Sequence, residues 1–270
     1  MKITILSICF AFVWAITACE LPQPPADPSQ VVSFEDLKVS DLADTSQENI
    51  DSEFIMSFRV LTYTIVPGAV DELDKICQML SQQDVRLLNQ EAFKENGLAV
   101  GTGSFEQGSE VARKLNEVGA VRVGQAHLTV PPENTQVISR TFLQGTETFT
   151  YATSAVTNLE VTPGPGFFGW VFSAQPDSRF NGMVQVRLYP AYWQQGLENI
   201  RLLMGQEPVE YRPLDDGTIL TRLGERGFLL LVPGRDVPDK LTLDKLLFFM
   251  PGQRPKVQFY LIIFDSMGTT

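Results

Sequence analysis

The second half of the chain is a succession of short β-type segments, and this pattern constrains the fold most strongly. Segments rich in valine, isoleucine, threonine and aromatic residues alternate with glycine, proline and aspartate positions that favour turns. Strands are predicted over 137–143, 147–152, 159–162, 169–173, 183–189, 210–212, 218–223, 227–232 and 257–264. Gly145, Gly182 and Asp216-Gly217 are typical of hairpin turns. Because only 243–249 is predicted to be helical in this half, an antiparallel β-rich region is expected.

The region before it mixes helices with strands. Two main helices are predicted over 69–81 and 104–118, and the second opens with the capping-box pair Ser104 and Gln107. A brief helix capped by Asn89 is predicted between them. Strands are predicted over 58–66, 84–88, 98–101 and 121–130.

These patterns predict an α+β fold, with a small α/β subdomain followed by a larger antiparallel β-rich subdomain. The chain has 270 residues, enough for one large or two small domains. The expected organisation is a signal segment at 1–18, an acidic, proline-rich tether at 19–53, the α/β subdomain at 54–130 and the β-rich subdomain at 131–270.

The first 19 residues have the arrangement of an export signal. Lys2 supplies a positive charge, 3–15 is almost uninterrupted apolar sequence, and the small residues Thr17 and Ala18 precede Cys19. A transmembrane helix needs about 20 apolar residues, and this run is shorter. The segment resembles a bacterial lipoprotein signal, in which the cysteine at the first mature position receives a diacylglyceryl group before cleavage.

This resemblance implies a lipid anchor on Cys19 that holds the protein at a membrane of the bacterial cell envelope. Two acyl chains bind a membrane stably, whereas a single chain binds it only marginally. In the best-known sorting rule for lipoproteins an aspartate after the cysteine favours the inner membrane. Glu20 therefore points to the outer membrane, with the protein facing the periplasm. An uncleaved anchor and an ordinary secretory signal are the alternatives.

The negative charge is concentrated in the tether. The whole chain carries 32 acidic and 21 basic residues, a formal net charge of −11. Between Glu20 and Glu53, nine acids face Lys38 alone, which gives −8 for the tether and leaves about −4 for the body. Nucleic acid is excluded as a partner, because it requires a basic surface that neutralises phosphates.

No catalytic or metal-binding motif is recognisable. His127 is the single histidine, and a lone histidine on a strand usually packs against its neighbours. A G-x-S-x-G turn is missing, the mature chain lacks the usual ligand set for zinc, and no cofactor is expected. Cys77 belongs to an apolar helical stripe and is expected in the core. Paired carboxylates for glycoside hydrolysis need no local motif, and the candidates are Glu147, Glu160, Asp177, Glu210 and Asp244.

The most unusual local feature is the sequence TPGPGFFGW at 162–170. Proline and glycine favour a loop, and three aromatic residues follow it directly. One interpretation is sheet core reached after a tight turn. The other is an exposed aromatic tip that contacts a partner protein or lipid headgroups. The candidate interaction surface is therefore Phe167, Phe168 and Trp170.

The stretch 121–264 faintly resembles the β-rich core of secretins, the ring-forming outer-membrane channels. The residues that carry this resemblance are AHLTVP at 126–131, 146–151, LEVTP at 159–163, Val237-Pro238, 243–248 and 257–264. The upstream strand–helix units are similar to the ring-building periplasmic domains of that family. The chain lacks the repeated proline and glycine signature of secretins, and Asp244-Lys245 stands where glycine is expected. The two-part layout is also similar to that of an uncharacterised lipoprotein family.

The leading interpretation is a non-enzymatic, membrane-anchored protein that binds or helps to assemble another component of the cell envelope. One alternative is a carboxylate-based hydrolase or glycan-binding protein. Another is a secretin-like ring component. The expected partners are the membrane, through the lipid anchor, and an envelope protein; the oligomeric state is left open.

Overall fold

The structure, a computed structural model, describes residues 54–143, 148–156, 159–194, 211–234, 241–250 and 252–269. These residues form an α+β fold that consists mainly of antiparallel β-sheet. The predicted signal segment, Cys19 and the tether lie outside the described residues, as do Gly145, Glu147 and Glu210. Within the described ranges no helix has the length and apolar character needed to cross a membrane.

Strands and short helices alternate in the first part of the described chain, and strands predominate after it. The strands are β1 (Phe54–Ile65), β2 (Val85–Leu87), β3 (Leu98–Gly103), β4 (Val121–Val130), β5 (Thr135–Leu143), β6 (Phe149–Tyr151), β7 (Leu159–Val161), β8 (Gly166–Pro176), β9 (Met183–Gln194), β10 (Arg212–Pro213), β11 (Ile219–Gly224), β12 (Phe228–Pro233), β13 (Phe249–Met250) and β14 (Lys256–Thr269). The α-helices are α1 (Val70–Gln78), α2 (Gln90–Glu95), α3 (Phe105–Glu117) and α4 (Leu243–Phe248).

The strands form two large antiparallel sheets. Sheet A has the order β3-β12-β14-β1-β4, with β13 beside β14. Sheet B has the order β2-β11-β9-β8-β5, with β10 beside β9, and β6 pairs with β7 separately. Both sheets therefore combine strands from either side of residue 130, and the described residues all belong to one compact unit. The expected boundary at 130/131 is corrected, because β1, β2 and β3 each pair with a strand from the C-terminal part of the chain.

Most predicted elements occur with shifted ends. The helix expected over 69–81 begins with a 3-10 turn at Pro67–Ala69, and its α-helical part ends at Gln78. The Asn89 side chain accepts a hydrogen bond from the Ala92 N–H at 3.1 Å, which confirms this cap. The Ser104 N–H donates to the Gln107 side chain at 3.0 Å, as the capping-box pattern predicts.

The main core lies between the two sheets. Phe58 of β1 meets Phe172 of β8 edge to face, with the ring centroids 4.8 Å apart. The helix α4 contacts both sheets, and its Phe248 packs near Trp170 of sheet B and Tyr260 of sheet A. Large aromatic residues thus join sheet A to sheet B.

The helix α1 packs on β3 and β12 of sheet A and contacts α3. Cys77 of α1 is buried, which confirms the prediction of a core residue. Burial raises the pKa of the Cys77 thiol to about 12, and the nearby Asp74 carboxylate adds to the shift. The thiol is therefore protonated at neutral pH and serves as an apolar packing group.

Candidate functional site

The aromatic residues that follow the proline–glycine loop do not form an exposed tip. Phe168 and Trp170 are 1% and 0% exposed, so the candidate interaction surface at Phe167, Phe168 and Trp170 is corrected. Alternate residues of β8 point towards the main core, where Phe168 packs against Phe149 and Trp170 against Phe248. Phe167 points to the opposite face and is half-buried beside Phe142.

The loop itself is held against sheet B. The Tyr192 hydroxyl donates to the Pro163 carbonyl oxygen at 2.8 Å. The Tyr192 ring also packs against Phe168, at 5.0 Å between centroids. This attachment holds the loop where the chain enters β8, next to Phe168 in the main core.

A groove of about 520 Å³ lies on the outer face of sheet B, which points away from the main core. The neighbours Ala174, Val186 and Leu188 are buried in the main core, so the residues that alternate with them face outwards. The strand register aligns one row of outward residues across all five strands, from β2 to β5. This row is Arg86, Leu220, Arg187, Ser173 and Thr135.

A second row continues the polar floor of the groove. Arg222, Gln185 and Gln175 are register neighbours, and the Gln175 amide donates to the Gln185 amide oxygen at 3.1 Å. Arg179, from the β8–β9 turn, completes a set of four arginines in the lining, together with the acids Asp84 and Glu133. The lining thus has a formal net charge of +2 on a body whose total is about −4.

Arg222 is held in place from two sides. Its Nε lies 2.7 Å from the buried Asp177 carboxylate, and its guanidinium lies 5.2 Å from the centroid of the Phe180 ring. Burial alone would raise the pKa of Asp177, but the Arg179 N–H, the Gln185 side chain and the charge of Arg222 together lower it below its usual value. Asp177 is therefore ionised at neutral pH and fixes the orientation of Arg222.

Arg187 lies over an aromatic ring. Its guanidinium is 4.9 Å from the centroid of Tyr189, whose hydroxyl shares a 2.6 Å hydrogen bond with the Tyr211 hydroxyl. Burial and this hydrogen bond raise the pKa of Tyr189. Across the described ranges, Arg86, Arg179 and Arg187 have no carboxylate within ion-pair distance. The guanidinium groups of Arg86 and Arg187 therefore have no carboxylate partner in the described structure, whereas the charge of Arg179 also acts on Asp177.

We expect Asp177→Asn to lower the free energy of unfolding by about 1 to 3 kcal/mol near neutral pH, because the partner of Arg222 loses its charge. The pKa of Asp177 is lower in the folded chain than its unfolded value of about 3.9. Its stabilisation is thus fully present above about pH 4 and is lost as the pH falls further. Urea unfolding at about pH 7 and pH 3 should show a difference between variant and parent that narrows in acid. A difference that is the same at both pH values would contradict this role.

The histidine and the candidate carboxylates that the sequence analysis named lie in different parts of the structure. His127 is exposed on β4, and its ring nitrogen lies 2.9 Å from the Gln125 amide nitrogen. Glu160 is exposed on β7, Asp177 pairs with Arg222, and Asp244 is buried and bonded to the Thr242 hydroxyl. In the part of the chain that the structure describes, no three His, Cys, Asp or Glu residues group together to hold a metal ion.

The groove on sheet B, here named the arginine groove after Arg86, Arg179, Arg187 and Arg222 in its lining, was not predicted from the sequence. Arg187 and Arg222 lie within predicted strands at positions that alternate with apolar residues, and this signal marks an outward face. The position of Arg86 beside them depends on the pairing of β2 with β11, which are more than 130 residues apart. Local patterns carry no information on such a pairing.

The comparisons with known proteins place the chain in no family. No protein-family model matches it, and no curated protein matches it significantly. Among solved structures, the fold has a faint likeness to InvG, the secretin of the Salmonella SPI-1 type III secretion injectisome, in its open gate state. The match covers 90% of this chain and 66% of that chain, at 8% sequence identity and a TM-score of 0.21. This level of similarity gives no basis for transferring a function.

Proposed function

We propose that the protein is a membrane-anchored, non-enzymatic interaction protein of the bacterial cell envelope. Its arginine groove would bind an acidic peptide segment of another envelope protein. The observation that carries this proposal is the gathering of four arginines in one concave surface of a body with net negative charge. The N-terminal resemblance to lipoprotein signals supports the anchor on Cys19 and the outer membrane, facing the periplasm, as the location.

The lining suits a peptide that carries carboxylates. Arginine binds carboxylates through two parallel N–H donors, and every basic residue that lines the groove is arginine. The amides of Gln175 and Gln185 can both donate and accept hydrogen bonds, as a peptide backbone requires. The volume of about 520 Å³ lies within the range of known ligand sites.

Two other kinds of partner fit less well. A bilayer surface cannot enter a concave groove, so lipid headgroups would reach only its rim. A sugar ring usually stacks on an open aromatic face, but Tyr189 is 5% exposed and is covered by Arg187. An acidic polypeptide meets neither obstacle.

We expect the double variant Arg86→Glu, Arg187→Glu to weaken binding of poly-L-glutamate by about 100-fold at low salt, because two charge-assisted contacts become repulsive. Binding by the parent chain should also fall as salt rises, since the Debye length is about 10 Å at 0.1 M. Titration of the full mature chain, followed by calorimetry, measures both effects.

The matched control is Arg113→Glu, Arg254→Glu, which changes the net charge equally at two exposed positions away from the groove lining. This control should retain most of the affinity. An equal loss in both double variants would mean that only the net charge matters and would contradict the proposed site. A photo-crosslinking residue in place of Leu220 should then capture, in cells, an envelope protein through an acidic segment.

A further inference from the structure

Sheet A ends in β4, whose outer edge has no partner strand among the described residues. This strand has ten residues, pairs with β1 on one side, and is exposed over most of its length. Val121 and Val123 are 59% and 54% exposed. Arg122, near the beginning of the strand, is its one lysine, arginine, aspartate or glutamate residue. An edge of this length and polarity can accept another strand.

The other sheet edges are protected. The Ser81 backbone exchanges two 3.0 Å hydrogen bonds with Thr102, which occupies the edge of β3 at the opposite end of sheet A. In sheet B, β2 has only three residues. At the other end of sheet B, β5 carries a bulge between Val137 and Ser139 and the charged Arg140. Bulges, charges and short strands all discourage pairing with another chain. β4 has a register shift at Val123 and a charge at Arg122 as well, but both lie within its first three residues and leave 124–130 regular.

We propose that β4 pairs with β4 of a second copy of the chain in antiparallel orientation. In an antiparallel pair, residues directly opposite each other point to the same face of the sheet. The two-fold axis between two identical strands must therefore lie midway between the two copies of one residue. An axis through Ala126 brings the smallest suitable side chains together. It pairs Gln125 with His127 and Gly124 with Leu128 of the other copy, within the regular stretch of β4 that follows its irregularity at Val123.

Electrostatics and symmetry both favour a second copy as the occupant. In this register Arg122, which precedes the register shift at Val123, lies near the far end of β4 of the other copy, and the two Arg122 residues are roughly 25 Å apart, well beyond the Debye length. No like charges face each other along the paired strands. Because Ser81 already bonds the Thr102 backbone on the β3 edge, a head-to-tail addition through sheet A would find only a shortened edge there. Pairing of β4 with itself closes at two copies.

The test uses the full chain in its membrane. Ala126→Cys should form a disulfide-linked dimer on mild oxidation, because the two introduced thiols meet at the axis. The matched exposed control Val156→Cys and the parent chain should remain uncrosslinked. Absence of the crosslink in Ala126→Cys, or equal crosslinking of Val156→Cys, would overturn the proposal.

A second variant tests the same pairing without crosslinking. Ala126→Lys places two like charges at the axis and should weaken dimerisation by about tenfold or more. Sedimentation of the detergent-solubilised full chain measures this, with Val156→Lys as the control that should still dimerise. Circular dichroism shows whether each variant is folded. A parent chain that stays monomeric, a dimer that is unaffected by Ala126→Lys, or a larger ring would each overturn the inference.

Discussion

Replacement of Cys19 with serine should move the protein from the membrane fraction to the soluble fraction. Serine cannot form the thioether that carries the diacylglyceryl group. Each buried methylene of an acyl chain contributes about 0.8 kcal/mol, so the loss of two chains lowers membrane affinity by many orders of magnitude. Cell fractionation with immunoblotting measures this redistribution, and mass spectrometry of the N-terminal peptide of the parent should detect a lipid-modified Cys19.

The matched control is Cys9→Ser, which changes another cysteine of the same apolar segment. Because position 9 precedes the expected cleavage site, this variant should stay in the membrane fraction. Two results would contradict the lipoprotein interpretation. One is a Cys19→Ser chain that still sediments with membranes after a high-salt wash. The other is an unmodified Cys19 in the mature parent.

Trp170→Ala should lower the free energy of unfolding by about 3 to 5 kcal/mol, which is a large part of the stability of an ordinary domain. Trp170 is 0% exposed and packs beside Phe248 of α4, where the two sheets and the helix meet. Removal of the indole leaves a cavity that a β-strand between two neighbours cannot close by moving. Urea unfolding should show a lower midpoint with a similar slope.

Trp170→Phe is expected to cost less than Trp170→Ala, because the phenyl ring fills most of the space. The indole Nε1 also has no hydrogen-bond partner within the described structure, so no bond is lost with it. Phe142→Ala serves as the surface control, since Phe142 is 39% exposed on the neighbouring strand β5. A loss of stability after Phe142→Ala as large as that after Trp170→Ala would show that Trp170 is not a core residue.

The proposals concern separate parts of the molecule and can fail separately. The arginine groove lies on the outer face of sheet B, the proposed dimer edge is β4 of sheet A, and the proposed anchor is Cys19. Loss of poly-L-glutamate binding in the groove variant should leave the Ala126→Cys crosslink intact. Conversely, Ala126→Lys should leave poly-L-glutamate binding intact. This independence distinguishes a wrong site from a misfolded protein.

The amino-acid sequence by itself determined the local structure and led to the expected cellular location of the protein. The caps of α2 and α3 follow from Asn89, Ser104 and Gln107. Each cap is a hydrogen bond between a side chain and a backbone N–H three residues away, so it forms independently of the tertiary structure. The strand positions follow from residue type and alternation in the same way. The pattern that resembles a lipoprotein signal is likewise linear, so its interpretation rests on the sequence alone.

Only the tertiary structure decided which strands are neighbours. The pairing of β1 with β14 and of β2 with β11 joins distant parts of the chain, and it removed the expected boundary at 130/131. It also placed Trp170 in the core and gathered Arg86, Arg187 and Arg222 on one face. The physical reason is that strand pairing depends on the fit of whole sheet faces, a sum of non-local contacts that no short window of sequence contains.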